Sequence, residues 1–594
     1  MNSMAKRRAL IACCFLAICF TGFSARLVDL QVAEHDDYAA KAAEKHLKRE
    51  PIFAKRGVIE DVHGAPLAQN EPRKTVIADG SLIDNPAAIA RLVAQPLKMT
   101  EAKVMEKLGA QHFSKTENKY VPSPYIVIKK KVIESVATEI AARLENEKLR
   151  GVHFDPDTER IYPNGSLLCH VIGSVNSEND GVEGIERSFD HYLRGSDGFR
   201  YIERDRAGRE LVPYRGLERP ARDGFKLRLT IDMGLQQIVE EELDAALKQF
   251  RPKTACVILM QPRTGEILAM ASRPEFDLNG DGEVPEEHRK NRAIADQYEP
   301  GSTFKIVAVS AALQQKLVTP DTIIFCENQH FVFGGSTLKD HAAYGDLSVN
   351  DIVMKSSNIG VAKLAIQLGD EKFYEYVRLF GFGTRTGVNL PGEIAGQVHP
   401  PNQWSKISIT RIPMGQEVCT TPLQVVTAMA AIANGGRLML PQIVREVLDD
   451  EGNVVQGFRP EQVRRVISEQ TATLVRDALV RVTSNKGTAP LARISGYKVA
   501  GKTGTAQKVG ASRTYETGKW VVSFCGFMPA DDPAFVALVM LDEATTAPKK
   551  NYGGLVAAPI FSRIGERAAR YLNLAPSPEP PGGDVVITQR ETRD

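Results

Sequence analysis

Hydrophobic residues along the chain form one long uncharged run near the N-terminus and, after residue 220, a series of shorter apolar segments with strand or helix periodicity. The first run, Ala9–Ala25, has seventeen residues, the low end for a membrane-spanning helix. Basic residues precede this run and favour the cytoplasmic side. We therefore expect a cytoplasmic tail over 1–8, a transmembrane anchor over 9–28 and the rest of the chain outside the cytoplasm. A cleaved signal peptide is the alternative, with an apolar core long for that class.

The periodicity after residue 220 predicts a sheet whose strands come early and late in the chain. Asp232 is a suitable N-cap for the first helix, and Pro262–Gly265 is typical of a hairpin turn. The predicted elements are a strand over 227–231, a helix over 234–250, strands over 255–260 and 266–272, and late strands over 498–509, 520–528 and 534–541. We expect helices packed on this sheet.

The region before residue 220 is richer in Gly, Asn and Pro turns and predicts an extended non-catalytic module. Within it, Arg56–Ala68 indicates two short strands around a glycine turn, and an irregular block covers 160–198. His170 lies between apolar residues and is interpreted as structural. The Pro-rich, charged segment after Ala575 predicts a disordered tail.

Composition narrows the classes of function. A chain of 594 residues is too long for one core and predicts two or three domains. Seventy-five basic and seventy-three acidic residues leave a net charge of +2, which gives no bulk electrostatic reason to expect nucleic acid. Five cysteines lie outside the anchor segment, without CxxC spacing, so we expect neither a metal site nor a disulfide scaffold.

A candidate nucleophile lies where a turn meets an apolar helix. Pro300-Gly301 precedes Ser302, and an apolar run with helical spacing follows. Lys305 is three residues on, so Ser302 and Lys305 should share one helix face. Burial would lower the lysine pKa and let a neutral Lys305 take the Ser302 proton. The Ser302 N–H, at a helix start, would point at a developing oxyanion.

Ser-x-x-Lys alone is a weak signal, because it also begins at Ser3, Ser336 and Ser495. A solvated pair is the ordinary expectation for such a match. Ser302 is favoured because it alone has the turn before it and the apolar helix after it.

Ser356 and Asn358 form a Ser-x-Asn tripeptide between helix-forming apolar residues. Ser356 would relay a proton between Lys305 and a leaving amine. The Asn358 amide would hydrogen-bond the substrate backbone and Lys305. The same tripeptide begins elsewhere without such flanks, at Ser174, Ser177 and Ser348.

A third motif, Lys502-Thr503-Gly504-Thr505, falls within a predicted strand. Strand alternation places Lys502 and Gly504 opposite Thr503 and Thr505. Lys502 would supply positive charge near the nucleophile, and Gly504 would let a substrate backbone approach closely. Thr503 and Thr505 offer hydroxyls for a terminal carboxylate. The Thr505 N–H is predicted as a second oxyanion donor.

In this order, Ser-x-x-Lys, Ser-x-Asn and Lys-Thr-Gly are motifs of penicillin-binding proteins and serine β-lactamases. With the segments at 56–68, 160–198, 380–393 and 421–424, the chain resembles the class B penicillin-binding proteins, membrane-anchored D,D-transpeptidases that cross-link peptidoglycan. The resemblance implies an α+β penicillin-binding transpeptidase fold, with a five-stranded antiparallel sheet between helices. The implied domains are an elongated pedestal of the dimerisation type over 45–220, the transpeptidase domain over 221–570 and a disordered tail over 576–594.

The resemblance also implies an activity and partners. Ser302 would be acylated by D-Ala-D-Ala stem peptides or by β-lactams, without a cofactor or metal. The enzyme would sit in the inner membrane as a single-pass protein with its catalytic domain in the periplasm. It would work beside a separate glycan polymerase of the FtsW kind and other division proteins.

Within the family, Tyr298–Gly301, Ser356-Ser357-Asn358 and Lys502-Thr503-Gly504 resemble the division-specific septal branch, the FtsI type. Elongation-specific relatives more often carry aspartate where Ser357 stands and serine where Thr503 stands. The chain departs from the usual pattern at Gln261, where the family often has aspartate. It also departs at Pro413–Glu417, where many septal enzymes have a Tyr-Gly pair.

Other functions are alternatives to this one. A β-lactamase requires a second base, for which Glu393 is the candidate in the right interval. A hydrolytic D,D-carboxypeptidase would share the acylation chemistry. A catalytically silent division scaffold would be expected to lose a motif residue, and none is lost. The region before the transpeptidase domain leaves no room for a glycosyltransferase domain.

Overall fold

The computed structural model describes residues 3–35, 47–114, 118–203, 218–280, 282–510, 514–545 and 552–577. They belong to two compact units, one of 1–56 with 194–224 and the other of 57–193 with 225–594. The predicted tail over 576–594 lies, from residue 578 onward, outside the described residues.

The first unit contains the N-terminal helix Ser3–Val28, which continues into a π-helical turn at Asp29–Ala33. The most apolar stretch of Lys6–Ala33 has a mean hydropathy of 2.0. Among the residues that the structure describes, this segment is a helix of sufficient length and hydrophobicity to cross a membrane. The unit also contains a three-stranded antiparallel sheet, with strands in the order Leu47–Ile52, Gly198–Glu203 and Glu218–Arg219.

A seven-stranded sheet in the second unit joins residues from both sides of residue 220. Ile59–Glu60 pairs in parallel with Lys226–Leu229 and antiparallel with Pro66–Ala78, which confirms the two predicted strands around a glycine turn. The strands run in the order Val454–Gly457, Val444–Leu448, Lys226–Leu229, Ile59–Glu60, Pro66–Ala78 and Ile126–Val132, with Val152–Ile161 also paired to Pro66–Ala78.

A separate hydrophobic core lies beside the outer strands of this sheet. Its buried residues include Val76, Ile89, Ile128 and Ile140. The surrounding elements are helices Pro86–Ala94, Glu101–Leu108 and Glu134–Asn146 and the hairpin Gln111–Ser114 with Lys119–Pro122; the short helices Cys169–Ile172, Gly184–Ser188 and Asp190–Leu193 follow.

A five-stranded antiparallel sheet forms the centre of the second unit, as the family resemblance implies. Its strands are β1 (Thr254–Met260), β2 (Ile267–Arg273), β3 (Ala500–Val509), β4 (Tyr515–Met528) and β5 (Phe535–Asp542). Their order is β2-β1-β5-β4-β3, so β3 is an edge strand. Every residue of β1 is buried, which requires cover on both faces of the sheet.

Helices supply that cover. The main ones are α1 (Met233–Phe250), α2 (Lys305–Gln314), α3 (Val349–Lys355), α4 (Asn358–Leu368), α5 (Pro422–Ala433), α6 (Glu469–Val482) and α7 (Gly553–Tyr571). Helices α1 and α7 pack together and against the sheet, and α5 packs on β1 and β5. The predicted antiparallel sheet between helices is therefore confirmed.

Local sequence explains where several of these elements begin. Asp232 caps α1 as predicted, because its Oδ1 accepts the N–H groups of Gly234 and Leu235 at 2.9 and 3.2 Å. Thr421 and Gln424 form a reciprocal capping box at the start of α5. These caps satisfy N–H groups that lack intrahelical partners.

The remaining elements surround α2 to α5. They are helices Glu286–Arg289, Arg292–Ala295, Asp370–Leu379 and Ser408–Arg411 and the strand pairs Ile323–Phe325 with Asp346–Ser348, His330–Phe333 with Ser336–Lys339, and Arg437–Met439 with Gln462–Arg465.

Candidate active site

Ser302 lies in a tight turn that leads into α2. Gly301 has φ +57°, and Gly301–Phe304 forms a 3₁₀ turn, so the α-helix begins at Lys305 and not at Ser302 as predicted. Side chains three residues apart are eclipsed in a 3₁₀ helix, which keeps Ser302 and Lys305 on one side. Ser302 is half-buried and Lys305 is 2% exposed.

Ser356 stands at the junction of two helices and receives Lys305. It follows α3 in the left-handed conformation, with φ 58° and ψ 41°. Lys305 Nζ donates to the Ser356 carbonyl at 2.5 Å and to Asn358 Oδ1 at 2.7 Å, and lies 3.2 Å from Ser356 Oγ. The structure thus brings the first two predicted motifs into direct contact.

Lys502 brings the third motif to the same hydroxyl. It is fully buried on β3, and its Nζ lies 2.8 Å from Ser356 Oγ. Two lysine amines therefore converge on one serine hydroxyl. Such a chain of amine, hydroxyl and amine can carry a proton from one end to the other.

Burial decides the charge of these lysines. Desolvation lowers the pKa of Lys305 to about 7, with Asp340 acting in the opposite direction. Desolvation, followed by repulsion from Lys305, lowers the pKa of Lys502 well below its usual range. Lys305 is therefore suited to act as a base near neutral pH.

We expect the rate of acylation by a β-lactam to depend on pH through Lys305. The neutral amine is present above its pKa of about 7, so the rate should rise with pH through about 7 and fall below it. Stopped-flow acylation of the full-length protein between mildly acidic and mildly alkaline pH measures this. A flat profile across pH 7 would contradict the assignment.

The remaining residues of the third motif face different neighbours. Thr503 Oγ1 lies 3.2 Å from Thr488 Oγ1, and Thr505 Oγ1 accepts the N–H of Gly553 at 3.2 Å. A Cβ on Gly504 would lie 2.3 Å from Ser523 Oγ and 3.1 Å from the Pro300 carbonyl. The missing side chain thus lets β3 approach the nucleophile turn. The roles of Thr503, Gly504 and Thr505 toward substrate stay predictions.

The nucleophile turn is held by close backbone contacts on two sides. A Cβ on Gly301 would lie 3.3 Å from the Thr505 nitrogen, so the predicted oxyanion donors Ser302 and Thr505 belong to adjacent backbone segments. On the other side, the Gly301 N–H donates to the Gly415 carbonyl at 3.2 Å. Gly415 lies in the segment that departs from the usual septal pattern.

Gly415→Ala is expected to reduce the rate of acylation by at least about tenfold. Displacing the nucleophile turn would raise the activation free energy by about 1.4 kcal/mol. Gly415 has φ +81°, and its Cβ would lie 2.2 Å from the Gly301 carbonyl oxygen. Gly392→Ala is the matched control, because Gly392 has φ +84° and no heavy atom within 4 Å of its Cβ position. Equal acylation rates for the two variants would contradict the packing argument.

Sequence reasoning missed Asp340, a buried aspartate beside the second motif. Ser357 Oγ donates to Asp340 Oδ2 at 2.6 Å, and the Asn358 N–H donates to Asp340 Oδ1. Asp340 follows the strand Ser336–Lys339, which the sequence analysis did not predict, and its spacing of seventeen residues from Ser357 matches no general motif.

Two other candidate catalytic residues, Glu393 and His170, have structural roles. Glu393 Oε1 accepts the Thr386 N–H at 2.6 Å, and its Oε2 accepts the Gly387 N–H at 3.1 Å. The carboxylate that a β-lactamase would require is thus engaged in a turn. Burial lowers the pKa of His170 to about 4, and its Nε2 donates to the His288 carbonyl at 2.7 Å.

Two protein-family models match the chain. The penicillin binding protein transpeptidase domain matches residues 255–566, and the penicillin-binding protein dimerisation domain matches residues 51–229. Stage V sporulation protein D of Bacillus subtilis (strain 168) is 34% identical over 589 residues, covering 97% of this chain and 87% of that protein. The peptidoglycan D,D-transpeptidase FtsI of Escherichia coli (strain K12) is 30% identical over 598 residues, covering 99% and 96%.

Solved structures show the same fold. A peptidoglycan synthetase from Bifidobacterium adolescentis superimposes with a TM-score of 0.72 at 26% identity, over 90% of this chain and 98% of that one. Penicillin binding protein 3 from Mycobacterium tuberculosis, complexed with aztreonam, gives 0.68 at 28% identity, over 89% and 98%.

A transpeptidase domain joined to a dimerisation domain defines the class B architecture. The chain belongs to the class B penicillin-binding proteins. The predicted penicillin-binding transpeptidase fold, with an N-terminal dimerisation module and one apolar N-terminal helix, is confirmed.

Proposed function

We propose that this protein is a serine D,D-transpeptidase that cross-links peptidoglycan stem peptides through an acyl-enzyme on Ser302. The observation that carries the proposal is the convergence of Lys305 and Lys502 on Ser356 Oγ, at 3.2 and 2.8 Å. Acylation removes a proton from the serine oxygen and delivers a proton to the leaving amine. The contacts among Lys305, Ser356 and Lys502 provide a path for that proton, which a Ser-x-x-Lys pair alone would not.

In the proposed acylation step, Ser302 Oγ attacks the carbonyl carbon between the two D-alanines of a donor stem peptide. Lys305 takes the proton, and the N–H groups of Ser302 and Thr505 stabilise the oxyanion. The C–N bond breaks, and the proton passes through Ser356 to the departing D-alanine amine. Lys502 would hold the Ser356 hydroxyl by a hydrogen bond during this transfer.

In the second step, an amine from a neighbouring stem peptide attacks the Ser302 ester. Its proton returns through the same relay to Ser302 Oγ, which leaves as the free hydroxyl. A β-lactam ring offers an amide carbonyl in the same position, and its acyl group would remain on Ser302. Asn358 would hydrogen-bond the donor backbone, and Thr503 and Thr505 would lie near its terminal carboxylate.

For the cellular role, we propose septal cell-wall synthesis of the FtsI type. Ser357 and Thr503 in the motifs support this branch, and E. coli FtsI is among the relatives of similar length. The N-terminal helix would anchor the protein in the inner membrane with residues 1–8 in the cytoplasm. Residues 45–220 would form the pedestal, 221–570 the transpeptidase domain, and an FtsW-type polymerase would be a partner.

A product assay tests the proposed reaction. Full-length protein in detergent is incubated with a donor peptide ending in D-Ala-D-Ala and an acceptor stem peptide, and the products are separated by mass. The cross-linked peptide with release of D-alanine is the expected product. The shortened donor alone would indicate a D,D-carboxypeptidase, and no product from folded protein would favour a silent scaffold.

A localisation experiment tests the branch. A fluorescent fusion expressed at native level is expected to concentrate at division septa. Uniform signal along the lateral wall would favour an elongation-specific role.

A further inference from the structure

Asp340 is a buried carboxylate outside the three motifs. It is 3% exposed and directly follows the strand Ser336–Lys339. Its Oδ2 accepts the Ser357 hydroxyl at 2.6 Å, and its Oδ1 accepts the N–H groups of Asn358 and, at 3.3 Å, Ile359. These N–H groups open α4 and have no intrahelical partner, and the helix dipole favours a negative charge there.

The same strand end fixes the amide of Asn358. Asn358 Nδ2 donates to the Lys339 carbonyl at 2.9 Å, while its backbone N–H donates to Asp340. The amide oxygen is therefore turned toward Lys305, whose Nζ lies 2.7 Å from it. Residues 339 and 340 thus determine which atom Asn358 presents to the catalytic lysine.

Ser357 connects Asp340 to Ser356. Its hydroxyl donates to Asp340 and accepts the Gly360 N–H at 2.9 Å, so both of its functions are used. Ser356, one residue earlier, has the left-handed backbone conformation, which is unfavourable for a residue other than glycine. Fixing Ser357 and Asn358 holds Ser356 in that conformation, with its hydroxyl between the two lysines.

We propose that Asp340 is a positioning residue for acyl transfer, which holds Ser356 and Asn358 against Lys305 through Ser357. This inference rests on the proposed function. In the Ser-Asp-Asn form of the motif the middle residue itself carries a carboxylate. Here a serine stands at that position, and the negative charge comes from Asp340.

The two positions are therefore coupled electrostatically. One carboxylate at the start of α4 is stabilised by three donors, whereas two carboxylates in contact repel each other. An aspartate at position 357 is compatible with this site only when residue 340 is uncharged. Double substitution separates this coupling from ordinary packing damage.

The charged and titratable groups facing this site come from several elements. Asp340 interacts electrostatically with Lys305 on α2 and with Cys326, His341 and Tyr344. His341 also interacts electrostatically with Lys305, Lys502 and Lys355. Asp340 raises the pKa of Lys305 against the larger effect of burial. Removing its charge is therefore expected to lower that pKa further.

The test measures acylation of the full-length protein by a fluorescent penicillin across pH. The variants are Asp340→Asn, Ser357→Asp and the double variant, with Asp346→Asn as an exposed-aspartate control. Asp340→Asn should lower the rate constant roughly ten- to hundredfold, the loss typical of hydrogen bonds to a charged group. The pH range over which the acylation rate of Asp340→Asn rises should also move to lower pH, which a purely structural defect would not cause.

The double variant should be acylated at least tenfold faster than Ser357→Asp, because one carboxylate is restored (about 1.4 kcal/mol). An unchanged rate and pH profile in Asp340→Asn would overturn the inference, and so would a double variant no faster than Ser357→Asp. If Asp340→Asn does not fold, comparing Ser357→Asp with the double variant still decides the question. Absent acylation of the folded wild type would instead contradict the proposed function.

Discussion

Ser302→Ala is expected to abolish labelling by fluorescent penicillin, a loss of at least about 10³-fold in the acylation rate constant. The substitution removes the oxygen that forms the ester and leaves the turn Gly301–Phe304 and Lys305 in place. The other hydroxyl in the turn, that of Thr303, is buried and donates to the Pro300 carbonyl at 2.8 Å, so we do not expect it to replace Ser302. Gel fluorescence and stopped-flow kinetics measure the loss, with the melting temperature as the test of folding.

Ser495→Ala is the matched control for Ser302→Ala. Ser495 also begins a Ser-x-x-Lys sequence, but it is exposed and lies outside the cluster around Ser356. Its substitution should leave labelling within about twofold of the wild type, in line with surface substitutions elsewhere. Labelling of Ser302→Ala at the wild-type rate would place the nucleophile on another residue.

Lys305→Met is expected to lower acylation about 10²- to 10⁴-fold, the usual contribution of a general base. Methionine keeps the length of the side chain but has no amine to accept the Ser302 proton. Because Lys305 Nζ also contacts the Ser356 carbonyl and Asn358 Oδ1, its loss leaves both acceptors without that donor. The residual acylation rate should no longer rise with pH through about 7.

Lys498→Met controls for removal of a lysine near β3. Lys498 Nζ pairs with Asp531 at 2.9 Å on an exposed surface, so little change in acylation is expected. A Lys305→Met variant that retains full activity and the acid limb near pH 7 would show that another group takes the proton.

Local sequence was sufficient to predict the elements that carry the three motifs. Apolar periodicity identified α2, and alternation identified β3, β4 and β5 to within a few residues, apart from the longer start of β4. Capping chemistry identified the start of α1 at Asp232. Such signals are local because they depend on backbone hydrogen bonds and neighbouring side chains.

Contacts between residues far apart in the sequence could not be predicted from local patterns. The left-handed backbone at Ser356 requires support from Asp340, and nothing in the tripeptide reveals this support. The packing of Gly415 against Gly301 likewise depends on how a later loop folds back on the nucleophile turn. These features arise from tertiary packing, which a single sequence does not encode in any short pattern.

The same limit applies to the seven-stranded sheet. Composition and hydrophobic periodicity predicted a domain boundary near residue 220. In the structure, Ile59–Glu60 pairs with Lys226–Leu229 across this position. Both are short strands whose pairing is set by their neighbours and not by propensity. Sequence patterning therefore predicted these two strands but not that they would lie side by side. It did not predict the strands of this sheet at Ile126–Val132, Val152–Ile161, Val444–Leu448 and Val454–Gly457.

The acyl-enzyme on Ser302 is tested most directly by locating the adduct. The full-length protein is treated with a penicillin, its intact mass is measured over time, and the modified peptide is sequenced by mass spectrometry. We expect the mass to rise by one penicillin, to persist, and to map to the peptide containing Ser302. An adduct on a different residue would contradict the assignment of the nucleophile, and rapid loss of the adduct would indicate a β-lactam hydrolase.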